Sequence, residues 1–209
     1  MKPSTELTLP LVMLFHMDIT NPQEGTLARA GLYGFYSGVL LSEFDPQTLE
    51  TLQAADWQET LAALGIEPPT GDEQTCEEFA VDYCKIFVGP QNFCPPYQSI
   101  WESGRFQSHV INSMNDFLEV VQTNSRPEIK DHAGHQFELM AIILHHEAGS
   151  VDPALDLSKA FFRNHVFWTG QMFSRAAGLA ETRFYRDLLL AGEQFIQMEK
   201  QHYNLNTAN

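Results

Sequence analysis

Long apolar runs and basic residues are both scarce in this sequence. No stretch of about 18 consecutive apolar residues exists that could span a bilayer. Lysine and arginine number 12 against 27 aspartates and glutamates, which gives a formal net charge of −15. An acidic surface repels the phosphate backbone, so we expect no nucleic-acid partner and favour a cationic one.

Cysteine is also sparse. Cys76, Cys84 and Cys94 cannot all pair within the chain, and their spacing matches no zinc pattern. A reducing compartment is the simpler interpretation. The apolar stretch 7–15 is interrupted by Pro10 and lacks the basic flank and small-residue cleavage site of a secretory signal. We therefore expect a cytoplasmic protein.

Alternating strand patterns and nucleotide motifs are missing as well. Nearly every periodic segment repeats at three to four residues, and no G-x-x-x-x-G-K-[ST] loop is present. Ser99 lacks the G-x-S-x-G context of a hydrolase nucleophile. At 209 residues, the pattern predicts a single all-α domain of roughly eight to ten helices.

Helix boundaries follow from caps, prolines and glycines. Helices are predicted over about 26–41, 46–55, 56–65, 79–88, 106–122, 128–148, from Pro153 onward, and 182–203, with connectors at 67–72 and 124–127. Residues 1–25 are expected to form an N-terminal extension and 26–209 the helical domain. The connector near 124–130 is a candidate hinge.

The segment 79–102, FAVDYCKIFVGPQNFCPPYQSIWE, is the most informative part of the chain. Gly89 and Pro90 end a helix, and Pro95-Pro96 stiffens the chain before Tyr97. A rigid loop that displays aromatic side chains loses little entropy when a partner covers it, which suits a binding surface. The alternative is a structural helix stop with its aromatic side chains in the core.

Ionisable residues are densest between residues 131 and 147. His132, His135 and Glu138, with His145 or His146, could serve a metal-dependent helical enzyme. However, the H-E-x-x-H pattern of zinc hydrolases is missing, and E-x-x-H occurs only at 199–202. The residues alone also allow a helix-start carboxylate at position 131 followed by a core histidine.

Three separated motifs resemble the redox-enzyme maturation chaperones, the family that serves trimethylamine N-oxide, dimethyl sulfoxide and nitrate reductases. YCKIFVGP at 83–90 followed by PPYQSIW at 95–101 is similar to the family's helix and loop. DHAG at 131–134 and FRNHVFW at 162–168 are similar to its second and third motifs. The resemblance runs from about residue 26 to residue 200.

The resemblance implies an all-helical cytoplasmic chaperone, not an enzyme. It would bind the twin-arginine signal peptide, the apo-form of the catalytic subunit of a molybdenum-cofactor oxidoreductase, or both, before export. Asp131 would pair with a leader arginine or orient His132, and His132 would hydrogen-bond the leader. The full set of implied signal-peptide-binding residues is Tyr36, Tyr83, Ile86, Pro95, Pro96, Tyr97, Ser99, Trp101, Glu102, Asp131 and His132.

The resemblance also sets expectations for cofactors and assembly. No cofactor or metal is implied, although some members bind guanine nucleotides weakly. Members occur as monomers or as domain-swapped dimers, which the connectors at 67–72 and 124–127 would permit. A scaffold that binds the folded enzyme body and ignores the leader is a further alternative. The amides in the segment 91–94 depart from the family pattern and affect the expected leader selectivity.

Overall fold

The computed structural model describes residues 21–105, 108–123, 129–149 and 156–205. Within these ranges the regular secondary structure is entirely helical, which confirms the all-α prediction. The ten helices are α1 (Pro22–Leu41), α2 (Pro46–Leu52), α3 (Ala55–Ala63), α4 (Glu73–Tyr83), α5 (Gln98–Ser103), α6 (Ser108–Val121), α7 (Ala133–Gly149), α8 (Leu157–Phe161), α9 (Thr169–Leu179) and α10 (Arg183–His202). None of the helices in these ranges is long and apolar enough to cross a membrane.

Side-chain caps define several helix starts. Asn21, Asp45 and Asp72 each accept a hydrogen bond from a backbone N–H in the first turn of the helix that follows. Thr182 does the same for α10. The α1 helix begins at Pro22, earlier than the predicted residue 26, because Asn21 caps it and proline suits the first helical position.

Two antiparallel helix pairs form the centre of the fold. The α1 helix lies along α7: Gln23 donates to the Ala148 carbonyl at 2.9 Å, and at the opposite end Gly134 packs against Leu41. The α9 helix lies along α10 in the same way. Tyr36 joins the pairs, since its ring contacts both Phe173 and Phe195. Tight aromatic packing therefore fixes the relative positions of these four helices.

A buried ion pair adds a polar link between α1 and α10. The Arg29 guanidinium donates to both Glu199 carboxylate oxygens, at 2.6 and 2.8 Å, and Tyr33 donates to the same carboxylate at 2.9 Å. Burial lowers the pKa of Arg29, but the hydrogen bond and charge of Glu199 more than offset that effect, so the net pKa is raised. Arg29 therefore remains charged at its half-buried position beside Glu199.

The helices α4 and α8, whose C-terminal ends lead into two of the recognised motifs, are each followed by a π-helical turn. The sequence pattern did not predict these turns. The turns cover Cys84–Val88 after α4 and Phe162–Val166 after α8. Each inserts one extra residue into the helical repeat, as π-bulges do, and such bulges are frequent at functional sites. The predicted stop at Gly89-Pro90 is confirmed, since Gly89 closes the first π turn on the Cys84 carbonyl at 2.7 Å.

The prediction of a helix start at residue 128 is wrong. The α7 helix begins at Ala133, because the backbone just before it pairs with the 95–98 loop instead of continuing a helix. The predicted connector at 124–127 and the predicted helix start at Pro153 lie outside the described residues. The connector at 67–72 is non-helical, as expected.

Candidate functional site

A short antiparallel backbone pairing joins the proline-rich loop to the start of α7. The Gln98 N–H donates to the Asp131 carbonyl at 2.9 Å, and the Ala133 N–H donates to the Pro96 carbonyl at 2.8 Å. Tyr97 and His132 face each other across this bridge, with ring centroids 5.1 Å apart. Two of the motifs recognised in the sequence are therefore one structural unit.

Asp131 lies inside this unit, and its side chain is buried at 2% exposure. Its carboxylate accepts the hydroxyl hydrogen of Ser99, which is itself fully buried. The expectation that Asp131 pairs with a leader arginine therefore does not fit this structure, because a partner cation has no access to the carboxylate. Both residues instead fix α5 to the start of α7.

His132 occupies the position just before α7. Its Nδ1 accepts the Gly134 N–H at 3.0 Å, so the imidazole caps the helix. Burial, followed by the neighbouring His135, lowers the pKa of His132 to about 4. The imidazole is therefore neutral near pH 7, and Nδ1 is already occupied by the cap.

Three predicted residues of the unit are partly or fully exposed, and we call Tyr97, Trp101 and Glu102 the loop face. Tyr97 and Trp101 are half-buried; Tyr97 immediately precedes α5, and Trp101 lies within it, four residues further on. The Trp101 indole donates to the Pro95 carbonyl at 2.8 Å, which ties the ring to the proline pair. The loop face therefore presents fixed aromatic rings to solvent.

Glu102 supplies negative charge at the edge of the loop face. Its side chain is 40% exposed, and one carboxylate oxygen accepts from Gln98 Nε2 at 2.7 Å. The other oxygen lies 3.2 Å from His109 Nε2. The carboxylate is thus held in place yet remains accessible to a partner cation.

Three other residues that the sequence predicted for the site, Tyr36, Ile86 and Tyr83, are buried or half-buried away from the loop face. Tyr36 and Ile86 are fully buried, and the Tyr36 hydroxyl donates to the Leu188 carbonyl at 3.1 Å. They lie in the core instead of on a groove wall. Tyr83 is half-buried and donates to the Leu40 carbonyl at 3.0 Å, so it anchors α4 to α1.

Behind the loop face lies a buried polar network that sequence reasoning missed. It contains Gln98, Gln136, His165 and Trp168, with Gln136 Nε2 donating to Gln98 Oε1 at 2.6 Å and Trp168 Nε1 donating to Gln136 Oε1 at 3.0 Å. Gln136 falls on the apolar face of α7, in the same period as Met140 and Ile143. An amide among apolar positions was the signal that could have revealed it.

His132, His135 and Glu138 of the metal-enzyme alternative lie near one another without forming a metal site. His135 Nδ1 is 3.4 Å from Glu138, and the His132 and His135 ring centroids are 5.8 Å apart. Among residues 21–105, 108–123, 129–149 and 156–205, no group of three metal-ligating side chains is close enough to hold an ion.

A cleft of about 1230 Å³ opens between α4 and the start of α10. Its lining includes Glu73, Glu77, Glu78 and Val81, and none of the signal-peptide residues predicted from the sequence contributes to it. Asp82, also in the lining, accepts from the Thr182 N–H at 2.8 Å and is thereby committed to capping α10.

The sequence that folds into this helical domain matches a known family of proteins. The profile of the nitrate reductase delta subunit family matches residues 46–174. The chain belongs to this family of redox-enzyme maturation chaperones. It is 22% identical over 192 residues to the chaperone protein TorD of Shewanella loihica, covering 82% of this chain and 91% of that protein. No solved structure matches the chain.

Family membership supports a role in molybdoenzyme maturation and favours the chaperone over the metal-dependent enzyme.

Proposed function

We propose that this protein is a cytoplasmic chaperone that binds the twin-arginine signal peptide of a molybdenum-cofactor oxidoreductase and assists maturation of the apo-enzyme before export. The loop face is the proposed contact for the leader. The observation that carries the proposal is that α5 and the residue before it hold two half-buried aromatic side chains, Tyr97 and Trp101, and one exposed carboxylate, Glu102.

The chemistry of a twin-arginine leader is complementary to this surface. Such a leader combines two guanidinium groups with an apolar segment. The rings of Tyr97 and Trp101 can cover apolar side chains, and the Glu102 carboxylate can accept a guanidinium bidentately. The net charge of −15 would also speed the encounter with a cationic peptide.

The proposed role of Asp131 changes accordingly. Its buried carboxylate holds α5 in place, so Asp131 would support the loop face from behind without touching the leader. Glu102 takes over the expected contact with a leader arginine. His132 would support the Tyr97 ring across the bridge.

Calorimetric titration with leader peptides from the host's molybdoenzymes tests the proposal. Each leader is compared with a version in which both arginines are glutamine. We expect saturable binding to one leader and weaker binding to its glutamine version. Flat heats with every leader would contradict leader binding.

A variant pair tests the role of the loop face. Glu102→Gln should weaken leader binding by about twofold to fivefold, because one exposed ion pair is lost, and this difference should shrink at high salt. Glu59→Gln removes an exposed carboxylate on α3 and serves as the matched control. Equal affinities of the two variants would remove Glu102 from the proposed site.

The scaffold alternative makes a different prediction. A chaperone that binds only the enzyme body should bind the apo-enzyme equally well with and without its leader. Pull-down of the intact and leader-truncated catalytic subunit distinguishes the two functions. Size-exclusion chromatography with light scattering of the same samples measures whether the chaperone acts as a monomer or a dimer.

A further inference from the structure

The carboxamide of Gln98 uses its full hydrogen-bonding capacity in the interior of the protein. Its Nε2 donates to Glu102 Oε1 at 2.7 Å and to the Asn164 carbonyl at 2.7 Å. Its Oε1 accepts from Gln136 Nε2 at 2.6 Å and lies 3.0 Å from His165 Nδ1. Two donors and two acceptor sites are all that a primary amide offers.

This saturation fixes the roles of the surrounding atoms. Because Gln98 Nε2 faces two acceptors, Oε1 must accept, and His165 Nδ1 therefore carries the hydrogen. His165 Nε2 is then the acceptor for the Ser113 hydroxyl at 2.8 Å. One buried side chain thus links α5, α6, α7 and the π turn after α8.

The network reaches the surface at two points that matter for a partner. At one end it holds the carboxylate of Glu102. At the other end Gln136 accepts from the indole of Trp168, whose ring centroid lies 6.0 Å from that of Trp101. Gln98 itself is only 2% exposed, so a peptide on the loop face cannot touch it.

We propose that Gln98 is a positioning residue that sets the shape of the loop face, by holding the Glu102 carboxylate directly and the Trp168 indole through Gln136. It follows that leader affinity should depend on Gln98 although the leader does not contact it. This consequence rests on the proposed function. A buried amide with every bond satisfied has one preferred orientation, which suits this role.

The variant Gln98→Glu isolates the effect. It keeps the side-chain shape, but it turns an oxygen toward Glu102 and the Asn164 carbonyl, where acceptors repel one another, and this repulsion moves the residue 98 side chain away from Gln136 and His165 as well. We expect the Glu102 and Trp168 side chains to shift. Gln136→Met is the milder second variant, because Trp168 Nε1 retains its bond to the His165 carbonyl at 2.9 Å.

The first readout is the near-ultraviolet circular dichroism of the free protein. The part of the spectrum that depends on the paired indoles is identified as the difference between the native protein and Trp168→Phe. Gln98→Glu should lose most of that part, and Gln136→Met should lose a smaller share of it. Thr182→Ala removes the cap of α10 far along the chain and should retain it despite its lower stability.

The second readout is leader affinity, measured by calorimetry at a temperature where each variant is folded. Gln98→Glu should bind about fivefold more weakly, as expected when the exposed Glu102 ion pair is lost, and Thr182→Ala should bind normally. Unchanged affinity and spectrum in both glutamine variants would overturn the inference, as would an equal affinity loss in Thr182→Ala. If the native protein binds no leader, the proposed function fails, and the spectrum alone decides the role of Gln98.

Discussion

The Ser99 hydroxyl donates its hydrogen to the carboxylate of Asp131, and both side chains are buried. The two residues are 32 positions apart and belong to two separate sequence motifs. Their contact, with the backbone bridge beside it, makes the proline-rich loop and the start of α7 a single unit. The most distinctive carboxylate of the sequence is therefore part of the framework of the loop face.

Ser99→Ala should reduce the free energy of unfolding by about 1–3 kcal/mol, because the buried Asp131 carboxylate loses a charge-assisted hydrogen bond. Urea denaturation of the native and variant proteins measures the difference. Ser103→Ala removes a hydroxyl on the same helix that donates to the Ser99 backbone carbonyl at 2.7 Å, and it should cost less because that bond involves no buried carboxylate. Equal effects would mean that the Ser99–Asp131 contact contributes little.

Gly134→Ala should destabilise the protein by about 1–3 kcal/mol through overpacking. A Cβ at position 134 would lie 2.5 Å from Leu41 Cγ and 3.2 Å from His132 Nδ1. Gly34→Ala is the opposite case, since a Cβ there meets nothing within 4 Å and alanine favours the helix by up to about 1 kcal/mol. Thermal midpoints that move in the same direction would contradict this account.

Glu199→Gln should cost about 3 kcal/mol or more, because it leaves the Arg29 guanidinium charged and buried without its counter-ion. The exposed pair of Lys85 and Glu181 provides the comparison. Glu181→Gln should cost less than about 1 kcal/mol, since solvent already screens that pair. Chemical denaturation of both variants tests the contrast, and a larger loss in Glu181→Gln would refute it.

The stability of the protein should decrease as the pH falls from about 6.5 to 4. Burial lowers the pKa of His132 and of His165 to about 4, whereas the unfolded chain protonates each near 6.5. Over this interval the unfolded state binds more protons than the native state, so each histidine can account for a loss of up to about 3 kcal/mol. Below about pH 4 both histidines are protonated in the native state as well, so this loss of stability does not increase further.

Urea midpoints measured at pH 7, 6, 5 and 4 test this dependence. In His165→Gln the part of the pH slope that belongs to His165 should disappear, while the part that belongs to His132 remains. An unchanged slope in the variant would show that other groups dominate the acid sensitivity.

Local chemistry made much of the fold predictable. Asp45 followed by proline, Thr182 before an amphipathic stretch, and Gly89-Pro90 after one are start and stop signals that act within a few residues. The start of α7 was mispredicted for the opposite reason. The segment before Ala133 has a helical pattern, but its backbone groups bond to residues more than 30 positions away.

The residues predicted for the candidate site also fall into two groups, those that are partly exposed and those that are buried. Tyr97, Trp101 and Glu102 were identified from their motif, and each of them is at least partly exposed. Tyr36 and Ile86 were predicted from the same family resemblance, but their side chains are packed in the core. The pattern of aromatic and apolar residues indicates that a ring or side chain will be covered, and it does not distinguish burial by the protein from burial by a partner.

The sequence by itself determined that this protein is helical and acidic, where most helices begin and end, and which chaperone family its motifs resemble, because caps, periodicity and charge are properties of neighbouring residues. Only the tertiary structure decided that Asp131 is buried against Ser99, that the Glu102 carboxylate is exposed, and that Gln98 joins four segments behind the loop face. Those assignments depend on burial and on hydrogen bonds between distant residues, and both arise only when the helices pack.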